Sequence, residues 1–111
     1  MAVADGYLAY VLEHLSSLGP VRTRKMIGGA GIHINRVFFA LIADNVLYLK
    51  ADEDSRGAFE ALGLKPFQPY SGSNEAIPYY PVPTTVVEEP QELRRWARAS
   101  LDIARRHADA A

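Results

Sequence analysis

The sequence contains no cysteine. That excludes disulfides, thiol nucleophiles, and zinc or iron–sulfur sites built on thiolates. Small secreted domains commonly lean on disulfides, so this absence points to the cytoplasm. Long apolar runs are missing too: none approaches the ~20 residues of a membrane helix. The longest, Val37 to Ala43, has the length of a strand. The first residues, Met-Ala-Val-Ala-Asp-Gly, lack the basic region of a signal peptide, and Asp5 and Glu13 interrupt any apolar segment behind it. A soluble intracellular protein with no membrane partner is expected.

Charge of one sign is not in excess either. Lys plus Arg is 12, Asp plus Glu is 13, and the formal net charge is -1. A generally basic polyanion binder is therefore disfavoured, as is an acidic disordered chain. His14, His33 and His107 are scattered, with no His-x-x-x-His or His-Glu-x-x-His pair, so no metal is expected. A chain of 111 residues has room for one domain.

What is present reads as alternating helices and strands. Tyr7, Leu8, Val11, Leu12, Leu15 and Leu18 recur at helical spacing, predicting a helix over 5–18 that Asp5 caps and Gly19-Pro20 stops. Val21 to Ile27 reads as a strand showing Arg22, Arg24 and Lys25 to solvent. Gly28-Gly29-Ala30-Gly31 reads as a sharp break, needing positive φ or close packing. Another strand begins at Ile32, meets a hairpin turn or bulge at Asn35-Arg36, and continues apolar to Ile42. Asp44-Asn45 turns the chain into Val46–Ala51, giving three antiparallel strands. A helix over 52–62 follows, capped by Asp54 or Ser55, with Ala58, Phe59 and Leu62 as its buried stripe. Two short strands, 65–70 and 76–82, precede a final helix over 90–108 with Leu93, Trp96, Ala97, Ser100, Leu101, Ala104 and Ala108 on one face. The expected order is α-β-β-β-α-β-β-α, an α+β domain with helices covering an antiparallel sheet.

The glycine cluster lacks the Lys-Ser/Thr of a phosphate loop, and a strand rather than a helix follows it. Structural roles therefore suit Met26, Gly28, Gly29 and Gly31. Tyr79, Tyr80 and Trp96 read as sheet–helix core; alternation makes the two tyrosines point oppositely, leaving one of them exposable. The final helix carries five arginines against Asp102 between Leu93 and His107. Arg105 and Arg106 suit its negative end, whereas Arg94, Arg95 and Arg98 sit earlier, within reach of Glu88, Glu89 and Glu92. Arg94, Arg95, Arg98 and Arg105 are the candidate surface for an acidic partner. No catalytic constellation and no cofactor motif stand out.

Together these segments resemble a known family, the TfoX N-terminal domain. Lys25-Met26-Ile27-Gly28-Gly29-Ala30-Gly31-Ile32 is similar to its Met-Phe-Gly-Gly-Tyr-Gly-Ile signature, with Ile27 and Ala30 where aromatic residues are usual. Phe38–Ile42 and Leu47–Asp52 resemble the two strands that follow. Tyr79-Tyr80-x-Val82-Pro83 and Pro90-x-Glu92-Leu93-x-x-Trp96-Ala97 resemble its later segments. The resemblance implies a two-layer domain with a five-stranded antiparallel sheet and three main helices. Its namesakes, also called Sxy, are bacterial regulators of natural competence that act with a cyclic-AMP receptor protein and carry a second, C-terminal domain. A stand-alone, non-enzymatic domain working through protein contacts in transcription regulation is therefore expected, without catalytic residues. Two alternatives stay open. One is a nucleic-acid binder using Arg94, Arg95, Arg98 and the Arg22–Lys25 stretch. The other is a small-ligand domain with a pocket near Gly28–Gly31 and Tyr79–Tyr80. Homodimerisation through an exposed face also stays open.

Overall fold

A computed structural model describes residues 5–26, 29–68 and 77–110 of the chain. The first helix, α1 (Asp5–Leu15), continues into a 3-10 turn at Ser16–Leu18. Its apolar stripe does what the spacing predicts. Val11 and Leu15 are fully buried, and Tyr7, Leu8 and Leu12 pack around them.

Five antiparallel strands follow the sequence in their order across the sheet: β1 (Val21–Met26), β2 (Gly29–Ile34), β3 (Val37–Ala43), β4 (Val46–Lys50) and β5 (Tyr79–Pro81). Asn35-Arg36 joins β2 to β3 with φ of 51° and 69°, and Asp44-Asn45 joins β3 to β4 with φ of 53° and 60°. Two consecutive left-handed residues make a type I′ turn, whose twist matches that of the strands it connects. The expected three strands are therefore four, because Asn35-Arg36 reverses the chain fully. The expected break at the glycines is also corrected: Gly29 and Gly31 lie within β2. Gly28 and Ile27 lie outside the described residues. The register slips between Ile32 and His33, so that Ile32 faces Ala40 and His33 faces Phe38. This bulge lets the neighbours Phe39 and Ala40 both enter the core, against strict alternation.

The second half departs further from expectation. The helix expected over 52–62 begins at Arg56 (α2, Arg56–Ala61), because Asp52 and Ser55 close a reciprocal loop before it. The Ser55 backbone N–H donates to Asp52 Oδ1 at 2.8 Å, and the Asp52 N–H donates to Ser55 Oγ at 2.9 Å. Only Phe59 of the expected stripe is buried; Ala58 and Leu62 are exposed. This helix of six residues buries a single position. The expected strand at 65–70 reduces to one bridge, Phe67 with Ile77, and its last two residues lie outside the described ones. The strand expected over 76–82 is three residues long, since Pro78 and Pro83 flank it and Pro81 ends it. One helical turn, α3 (Thr84–Val87), leads into α4 (Pro90–Ala110). The observed order is α-β-β-β-β-α-β-α-α.

The helices α1 and α4 cover one face of the sheet. Leu93, Ala97, Leu101 and Ala104 of α4 meet Ile32, Ile34, Phe39, Ala40, Ile42, Leu47 and Leu49 in the main core. Burying one such leucine contributes about 1.5–3 kcal/mol, so α4 is the largest single cover of the sheet. Ser100 is buried within that stripe, and Ala108 at its end is exposed. Tyr10 Oη donates to the Val87 carbonyl at 2.9 Å, tying α1 to α3. The outer face has its own smaller cluster, Leu41, Ala43 and Tyr79 with half-buried Phe38, Tyr48, Phe67 and Ile77. No buried side-chain nitrogen or oxygen among the described residues lacks a partner.

Candidate functional site

Each predicted site residue has a definite place. Gly29 faces Ala43 on β3, where a Cβ would collide with the Ile42 carbonyl. Gly31 lies beneath the Phe38 ring, 3.0 Å from where its own Cβ would stand, with the Met26 sulfur at 3.2 Å. Close approach therefore explains both glycines. Neither has a left-handed φ. Met26 is partly exposed at the end of β1.

Tyr79 and Tyr80 do point to opposite faces, but both are buried, because the outer face has its own cover. Tyr79 stacks on Phe38 at 5.0 Å, and Phe38 stacks on His33 at the same distance. Tyr80 stacks on Phe59 at 5.2 Å and donates its hydroxyl to Glu60 at 2.8 Å. Burial, and then the Glu60 carboxylate, push the Tyr80 phenol upward. Packing takes up Gly29, Gly31 and Tyr79, whereas Tyr80 lines a separate cavity of about 610 Å³ with Asp52, Arg56, Pro66 and Pro78.

The arginines of α4 are more compensated than their count suggests. Arg95 forks onto Glu92 through two hydrogen bonds, of 3.0 and 2.6 Å. That contact lowers the Glu92 carboxyl and raises the Arg95 guanidinium. Arg106 reaches Asp52 at 3.3 Å, and Arg94 lies 3.4 Å from His14 Nδ1. Among the described residues Arg98 makes no ion pair with Asp102, although their spacing allows one. Only Arg95 and Arg106 are paired with acids; Arg94, Arg98 and Arg105 take part in none of the ion pairs among the described residues and fall on one side of the helix.

The fold does create an apolar groove between α2 and α4. Its volume is about 360 Å³, and Ala58, Phe59, Trp96, Ala99 and Ile103 form most of its wall. Phe59 meets Trp96 edge to face at 5.5 Å, which fixes the indole at the groove wall. Trp96 is only half-buried, and Ala58 and Ala99 are exposed, so the groove is open to a partner. Sequence reasoning found Trp96 as core and missed the groove. Ala99 falls off the helix stripe, and Ala58 was assigned to the buried side of α2.

Two helices and a five-stranded antiparallel meander, with no helix among the described residues long and apolar enough to cross a membrane, define a two-layer α+β domain. Residues 13–104 match the TfoX N-terminal domain family, and the chain belongs to it. No curated protein matches the chain.

Proposed function

We propose that this chain is a non-enzymatic regulatory domain that receives a protein partner in the groove between α2 and α4. One observation carries the reading: a half-buried Trp96, held edge-on by Phe59, stands in an open apolar wall with exposed Ala58 and Ala99. Grooves of this kind accept a single apolar or aromatic anchor, and such anchors supply most of the binding energy of an interface. Membership of the TfoX N-terminal domain family supports a regulatory setting, and transcription is the process the resemblance favours. The cytoplasm is the matching location.

A photo-crosslinking amino acid at Ala99, with a second at Ala9 on the exposed side of α1, tests the groove in cells. A discrete protein adduct is expected from position 99 alone, and Trp96→Ala should abolish it. Equal capture at both positions refutes the groove. Turnover of a metabolite by the purified protein refutes the non-enzymatic reading.

A further inference from the structure

The outer face of the sheet ends at β1 in a cleft of about 690 Å³, lined chiefly by Arg22, Thr23, Arg24, His33, Asn35 and Arg36. Arg22 and Arg24 are two residues apart on a strand, so they project from the same face. The register sets His33 across from Arg22. Arg36 enters from the turn between β2 and β3. No carboxylate lines the cleft. The ion pairs among the described residues use His14, Arg56, Arg95 and Arg106; none uses Arg22, Arg24 or Arg36. Three guanidiniums gathered on one cleft with no carboxylate among its lining residues repel one another and favour a bound anion.

Two further features point the same way. Arg36 holds φ at 69°, at a turn position that glycine or asparagine occupies with least strain. A long cation retained in that backbone conformation marks a place where strain and function coincide. His33 is stacked on Phe38, which fixes its plane, and burial together with the Arg24 charge holds its imidazole below the usual histidine range. A neutral ring keeps one nitrogen as donor and one as acceptor, so it adds directional contact beside the guanidiniums.

We propose that this cleft binds a small phosphate ester or pyrophosphate, its oxygens taken by the forks of Arg22, Arg24 and Arg36. Arginine matches phosphoryl oxygens two at a time, which a lysine cluster does not. A polynucleotide is the weaker fit. It needs a track of cations along the surface, whereas this chain has net charge -1 and pairs several of its other cations with acids. The helix α4, with its arginines, covers the opposite face of the sheet. The cleft is separate from the groove beside Trp96, and either assignment stands without the other.

Titration of the isotope-labelled protein with inorganic pyrophosphate at low ionic strength, followed by amide and guanidinium NMR, tests this. Saturable shifts are expected on β1 and on residues 33–36. Arg24→Gln and Arg36→Gln should each weaken binding by about tenfold or more, the usual range for a charged hydrogen bond. Arg98→Gln should leave it unchanged, and all three variants should melt cooperatively. AMP, ATP and single-stranded oligonucleotides of increasing length separate the sources. Nucleotide binding comparable to pyrophosphate, with no gain from oligonucleotide length, supports the assignment. Shifts that fail to saturate, shifts that spread to Arg98 and Arg105, or affinity that climbs with oligonucleotide length each overturn it.

Discussion

Gly29→Ala is the most informative single change, because it separates close packing from turn geometry as the reason for the glycine. A methyl at Gly29 would stand 2.9 Å from the Ile42 carbonyl carbon and 3.0 Å from the Ala43 Cα, and would overlap the Ile42 oxygen. Ordinary contacts of this kind lie at 3.4–4 Å. The obstacles are backbone atoms of β3, which cannot rotate aside as a side chain can. β2 and β3 must therefore separate locally. Overpacking of this kind costs roughly 1–3 kcal/mol. Weakening one ladder hydrogen bond adds about 1 kcal/mol. The lower chain entropy of alanine in the unfolded state returns about 0.4–1 kcal/mol. A net loss of about 2 kcal/mol at a urea slope of ~1.5 kcal/mol/M moves the midpoint down by about 1.3 M. Gly57→Ala is the matched control, since nothing lies within 4 Å of its added methyl and the site is helical. It should raise the midpoint slightly. Urea unfolding followed by circular dichroism reads both. If Gly29→Ala unfolds within about 0.3 M of the parent, the close approach of β2 to Ile42 is wrong and the packing account of the glycine falls.

Arg36→Gly removes a left-handed arginine and one of three clustered cations, so the melting temperature should rise, by at most ~8 °C for a gain of about 1 kcal/mol; a lower melting temperature contradicts the turn assignment. The Asp52 carboxyl is held below its ordinary value, first by the Ser55 backbone N–H and also by Arg106. Its contribution is complete above the unfolded value of about 4 and is lost as pH falls through the lower folded value. Asp52→Asn should therefore lose less stability than the parent between neutral and strongly acid solution, and parallel acid profiles would exclude the loop as the cause. Burial pushes the Tyr79 phenol far above its ordinary range. That stabilising term is complete below the unfolded value of about 10 and disappears as pH rises through the folded one. Tyr79→Phe should thus survive alkali better than the parent in a pH-jump unfolding assay, and equal alkaline midpoints would contradict the burial.

The elements that local chemistry dictates were readable in the sequence. Leu93, Ala97, Leu101 and Ala104 mark the buried face of α4 because helical spacing admits no other reading of them. Asp44-Asn45 announces its turn, since both residues tolerate left-handed backbone. Asn35-Arg36 reads as either a turn or a bulge, because the apolar run resumes directly at Val37 and only the pairing of β2 with β3 decides between them. Gly29 and Gly31 misled for a related reason: glycine marks both a tight turn and a place where two backbones meet, and only the neighbouring strand decides between them. Tyr80 faces the helices as alternation requires, but the cover that buries Tyr79 comes largely from Phe38 and Phe67, distant in sequence, joined by the neighbouring Ile77. The groove and the basic cleft were illegible for the same reason. Each joins residues from separate elements, Phe59 with Trp96 in one and Arg24 with His33 and Arg36 in the other.

The order of the strands across the sheet repeats their order along the chain. Pairing β2 with β3 and β3 with β4 requires closing only a two-residue turn each time, so these contacts cost little loop entropy. The long closures are left to β5 and α4, which must return to β4 and β3 from far along the chain. A nucleus built from β2, β3 and β4, with α4 docking afterwards, follows from that asymmetry. Ile42→Val should then slow refolding, while Leu101→Ala should mainly speed unfolding; the reverse pattern in stopped-flow kinetics would place the helix in the nucleus instead.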